Sequence, residues 1–74
     1  MSAKPERDIE KEYPLPEFID KLRRLADDLE QGEQFEIMIA GERIYVPVRA
    51  VYTIEHERED YEEEIEFQIK WTLE

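Results

Sequence analysis

The chain has no cysteine, one histidine, one tryptophan and two glycines in 74 residues. Without cysteine, disulfide staples and thiolate metal sites are excluded, so a fold must rest on packing alone. A chain of this length forms one small domain, near the lower limit at which burial sustains a fold. With only Gly32 and Gly41 there is no glycine-rich loop to cradle a phosphate, and both fall where the chain has to turn. No apolar run reaches the roughly 18 to 20 residues of a membrane span. The opening "MSAKPERDIEKEY" is charged where a secretory signal would be apolar, so the expectation is a cytoplasmic protein without a membrane partner. Basic residues are also scarce: 10 against 21 acidic ones, for a formal charge of −11. Such a field repels phosphate backbones, which excludes nucleic acid as a first expectation.

What is present is periodic. Residues 1–7 read as a polar tail and 8–74 as a single domain. "DIEKEY", residues 8–13, alternates weakly and is a candidate extra strand. From Pro16 onward, Phe18, Ile19, Leu22, Leu25, Ala26 and Leu29 recur at three- and four-residue spacing, which predicts a helix of about four turns with one apolar stripe. Pro16 suits the first turn, where a missing N–H breaks no bond, and Gly32 suits the left-handed residue past the end. Glu17 with Lys21 and Asp20 with Arg24 are acid-before-base pairs at helical spacing, each worth about 0.2 to 0.5 kcal/mol.

"QFEIMIAGERIYVPV" predicts a hairpin. A two-residue turn at Gly41 and Glu42, glycine first, sets Ile39 opposite Ile44, Ile37 opposite Val46 and Phe35 opposite Val48, all on one face. Met38 and Tyr45 then face each other on the other side. Pro47 has no N–H to donate, so pairing should break or bend near it. "VYTIEHEREDYEEEIEFQIKW" predicts a second hairpin with a longer acidic connection at 59–62. Its register sets Tyr52, Ile54 and His56 opposite Ile69, Phe67 and Ile65, and on the reverse face Glu55 opposite Glu66 and Glu57 opposite Glu64. The fold class expected is α+β, two layers, with one N-terminal helix packed on a four-stranded antiparallel sheet, or five-stranded if residues 8–13 pair.

A helix carrying "LRRLADDLEQG", a hairpin through "AGERIYVPV" and the amphipathic last strand "EEEIEFQIKW" together resemble the amphi-Trp domain family, named for that final strand and its tryptophan. The resemblance spans roughly residues 8 to 72. It implies a small prokaryotic domain without an assigned activity, and it carries over no catalytic residue.

The residues themselves leave few chemistries open. Ser2, Thr53 and Thr72 have no evident base partner, so nucleophilic catalysis lacks its parts. His56 is flanked by Glu55 and Glu57, but strand alternation sends those carboxylates to the opposite face, so "EHE" does not converge. The expectation is therefore no catalytic residue, no cofactor and no metal. Glu55, Glu57, Glu64 and Glu66 form the one polar cluster that folding does not require, since like charges facing across strands repel. With Met38, Tyr45 and Trp71 they make a candidate partner-binding face, for a basic protein or for a second copy of the chain in a homodimer. Trp71 also continues the Ile65, Phe67, Ile69 face, where it would close the core. The competing expectation is a divalent-cation site or an enzyme built on His56 and the sheet-face glutamates.

Overall fold

The computed structural model describes residues 4–73. In chain order it has helix α1 (Leu15–Glu30), strands β1 (Glu36–Ile39) and β2 (Glu42–Tyr45), then strands β3 (Val51–Glu59) and β4 (Glu62–Lys70). The class is α+β, with one helix and four antiparallel strands, but the strands form two separate two-stranded sheets, β1–β2 and β3–β4, where a single continuous sheet was expected. The break lies at Pro47: Ala50 donates its N–H to the Pro47 carbonyl at 3.1 Å, and this turn carries the chain away before β2 and β3 can pair. Val48, expected to pair with Phe35 on the buried face, stands at that turn fully exposed.

Residues 8–13 form no strand, so there is no fifth strand among the described residues. Their two apolar residues, Ile9 and Tyr13, are too few to hold a sheet edge. Tyr13 instead receives the ammonium groups of Lys11 and Lys21 over its ring, at 5.0 and 4.8 Å from the centroid. Lys21 and Arg24 thus spend their charge on aromatic rings. Neither of the expected pairs, Glu17 with Lys21 or Asp20 with Arg24, forms an ion pair among the described residues.

The helix ends as its sequence requires. Gly32 is left-handed at φ 72, and the Gly32 and Glu33 amides bond back to the carbonyls of Leu29 and Asp28 at 3.2 and 2.8 Å. These are the paired reverse bonds of a Schellman cap, which satisfy carbonyls that would otherwise end without partners. At the start, Pro14 caps through its backbone only, accepting from the Phe18 amide at 3.1 Å.

In the first hairpin the register differs from expectation. Ile37 pairs with Ile44, Met38 with Arg43 and Ile39 with Glu42, so the turn is Ala40–Gly41, not Gly41–Glu42. Both turn residues have positive φ, 47 and 85, the signature of a type I′ turn, whose twist matches that of the flanking strands. The Val46 amide extends the ladder by donating to the Phe35 carbonyl at 2.9 Å. Met38 and Tyr45 are therefore diagonal neighbours, both exposed, with the Arg43–Glu36 ion pair beside them at 3.0 Å.

The core lies where the helix and the bases of both hairpins meet. Phe35, Val46 and Ala50 are 5, 8 and 8% exposed, and Leu25, Ile37, Ile69 and Trp71 pack against them half-buried. The Arg24 guanidinium covers the Phe35 ring at 5.0 Å. Arg49 hydrogen-bonds the Thr72 carbonyl through Nη2 at 2.6 Å, tying the segment after β4 to the turn before β3. This core is short. Of the helix stripe only Leu25 joins it, while Phe18, Ile19, Leu22 and Leu29 remain exposed, so the helix does not roof the sheet as expected.

Candidate functional site

The β3–β4 ribbon carries the features that the fold leaves over. Its register is the expected one throughout: Tyr52 faces Ile69, Ile54 faces Phe67, His56 faces Ile65, Glu55 faces Glu66 and Glu57 faces Glu64. Pairing runs on to Glu59 and Glu62, so a tight two-residue turn at Asp60–Tyr61 replaces the expected longer connection, with Asp60 at φ 53. Aspartate tolerates that left-handed conformation better than most residues. At about 3.3 Å per residue, each nine-residue strand is about 30 Å long, and only its base reaches the core.

Because side chains alternate, the ribbon has two unlike faces. One presents Val51, Thr53, Glu55, Glu57 and Glu59 beside Glu62, Glu64, Glu66, Gln68 and Lys70. The carboxylates of Glu55, Glu57 and Glu66 have oxygens within 4.8 Å of one another. Gln68 relieves part of their repulsion, its amide donating to Glu55 at 2.9 Å and to Glu66 at 3.1 Å while its oxygen accepts from the Thr53 hydroxyl at 2.8 Å. Glu64, beside them, has no such donor: the charge of Glu66 holds its carboxyl above the ordinary 4.5, with further contributions from hydrogen bonding to Glu66 and the charge of Glu57. All four glutamates picked out in the sequence thus share one face.

The other face presents Tyr52, Ile54, His56 and Arg58 beside Glu63, Ile65, Phe67 and Ile69. It was expected to be the floor of the core, and its outer half is in water: Ile54 is 69%, Ile65 66% and Phe67 70% exposed. Near the tip, Glu63 accepts from Arg58 Nε at 3.1 Å and lies 2.8 Å from His56 Nε2. The hydrogen bond to His56 and then that to Arg58 hold the Glu63 carboxyl below its ordinary value. His56 is therefore engaged with Glu63 on the apolar face, and the structure does not bring it together with the glutamate cluster behind it.

Trp71, just past β4, is half-buried against the core, while Met38 and Tyr45 lie on the other sheet. The seven candidate partner-binding residues consequently do not form one continuous sheet face. What the sequence reading missed is the exposed apolar face itself; the alternation that defines it was legible, its lack of a cover was not. Among the described residues, no helix is long and apolar enough to cross a membrane. Compared with protein-family models, with curated proteins and with solved structures, the chain matches none.

Proposed function

We propose that this chain is a non-catalytic protein-interaction module acting in the cytoplasm, with the β3–β4 ribbon as its docking element. The observation that carries the reading is the exposure of Ile54, Ile65 and Phe67 on one side of a ribbon whose reverse is acidic. A patch of large apolar side chains held in water on a regular backbone is the usual mark of an interaction site. The acidic reverse keeps the chain soluble and offers a basic partner a field that salt would weaken. A reaction has little to work with here: the one histidine is held by Glu63, and the chain has no thiol.

The test is capture from native lysate at low and high salt, with the wild type, Phe67→Glu and the combined Glu55→Gln, Glu57→Gln, Glu64→Gln, Glu66→Gln variant. Loss with Phe67→Glu and persistence at high salt identify the apolar face. Loss with the glutamine variant and with salt identifies the acidic one. Equal capture by all three refutes docking through the ribbon.

The convergence of Glu55, Glu57 and Glu66 favours a second reading, a hard divalent cation held by carboxylate oxygens. Calcium titration followed by backbone chemical shifts separates the two. Saturating shifts confined to residues 55–66 at micromolar calcium support the cation, and diffuse millimolar changes refute it.

A further inference from the structure

We infer that the occupant of the exposed β3–β4 face is a second copy of this chain, stacked face to face about a two-fold axis. This rests on the reading of the ribbon as a docking element and goes on to name the partner. An isolated two-stranded ribbon is marginal in water and needs further strands or a packed layer on its apolar side. Here the helix and the short hairpin supply that layer only at the base, leaving Ile54, Ile65 and Phe67 uncovered.

The area agrees with this assignment. Tyr52, Ile54, Ile65 and Phe67 are 51, 69, 66 and 70% exposed, which at about 150 to 200 Å² per side chain leaves about 400 to 500 Å² of this face in water. Two protomers thus bring about 800 to 1,000 Å² together before any rim contacts, close to the roughly 1,000 Å² that a specific interface needs.

Charge permits a second copy as the partner and selects the geometry. The chain carries −11 overall, yet on the apolar face the only carboxylate, Glu63, is matched by Arg58 and hydrogen-bonded to His56. Two such faces meet without net repulsion. The reverse face has six carboxylates against one lysine, and face-to-face stacking points them outward. Edge-to-edge pairing of two ribbons would instead lay those carboxylate rows side by side, an arrangement that like charges oppose. A two-fold stack also brings the same patch of each copy together, which a self-complementary apolar face permits. Two ribbons then form a sandwich with sheets about 10 Å apart.

Sedimentation velocity of the full chain across the micromolar range reads the assembly directly, with no variant that could unfold. The expected mass is twice 9.0 kDa. Because the chain lacks cysteine, single substitutions then report the geometry under mild oxidation. Disulfide-linked dimers are expected for at least one of Ile54→Cys, Ile65→Cys and Phe67→Cys, and for neither Glu57→Cys nor Glu64→Cys. A monomer throughout the range overturns the inference. So does a dimer that cross-links through Glu57→Cys or Glu64→Cys, or one that cross-links only through Leu22→Cys on the helix. A monomer that captures a lysate protein, and loses it with Phe67→Glu, overturns self-association while leaving the interaction reading standing. A monomer that captures nothing overturns both.

Discussion

Truncating two phenylalanines, Phe35 and Phe67, separates a core that each chain builds alone from a core that two chains build together. Phe35 is nearly fully buried within one protomer, and its loss should cost about 3 to 5 kcal/mol at any protein concentration. Phe67 keeps 70% of its surface in water. Taking a phenylalanine to bury about 200 Å² when covered, the contacts made within its own chain are worth about 1.5 kcal/mol at about 25 cal/mol per Å². The exposed remainder, about 140 Å², adds about 3.5 kcal/mol per protomer once a second copy covers it. The assay is urea unfolding followed by Trp71 emission at two protein concentrations a hundredfold apart. If folding and dimerisation are coupled, that dilution removes about 2.7 kcal/mol per mole of dimer, which at an m-value of about 1 to 3 kcal/mol/M moves the wild-type midpoint by about 1 to 3 M. Phe35→Ala should keep a concentration-dependent midpoint at a lower value. Phe67→Ala should lose the dependence and fall by more than its intrachain contacts explain. A wild-type midpoint that stays fixed across the dilution, with Phe67→Ala costing only about 1.5 kcal/mol, refutes the reasoning.

Ala40 occupies a left-handed conformation in the β1–β2 turn at a cost of about 1 to 2 kcal/mol, so Ala40→Asn, which creates the favoured Asn-Gly pair, should raise stability by about 1 kcal/mol in thermal melts. Gly32→Ala meets no atom within 4 Å but must hold φ 72, and should destabilise the helix end by about 1 kcal/mol, read as a lower midpoint with unchanged far-ultraviolet dichroism. Glu63 and Glu64 should titrate apart in side-chain carboxyl NMR, Glu63 below the ordinary 4.5 and Glu64 above it. The signs of their linkage are opposite. The depressed Glu63 contributes stability above its unfolded value that is lost as pH falls through its folded one, so Glu63→Gln should flatten that part of the acid limb. The raised Glu64 is unfavourable while charged and is relieved on protonation, so Glu64→Gln should stabilise at neutral pH and lose its advantage below the carboxylate range.

The first hairpin shows how far pattern reading reaches. Turns at Ala40–Gly41 and at Gly41–Glu42 give registers that differ by two residues, and a shift of two returns every side chain to the same face. Alternation is blind to that difference. What separates the two turns is the backbone: the type I′ geometry asks for positive φ at both positions, and the chain accepts it at an alanine. In the second hairpin alternation fixes the faces in the same way, and the register that sets Ile54 opposite Phe67 is the one the structure has. The four glutamates were therefore legible as a cluster, and His56 as lying behind it.

From composition and spacing alone follow the helix with its glycine cap, the two hairpins, the two-faced ribbon and the absence of thiol chemistry. Periodicity states which side of an element is apolar, because it records the direction of side chains about one axis. It does not state what lies against that side. That β2 and β3 part at Pro47, that only Leu25 of the helix stripe joins the core, and that Ile54, Ile65 and Phe67 stay in water depend on where separate elements come to rest. Those positions are set by contacts between elements far apart in the chain, and only the tertiary structure decides them.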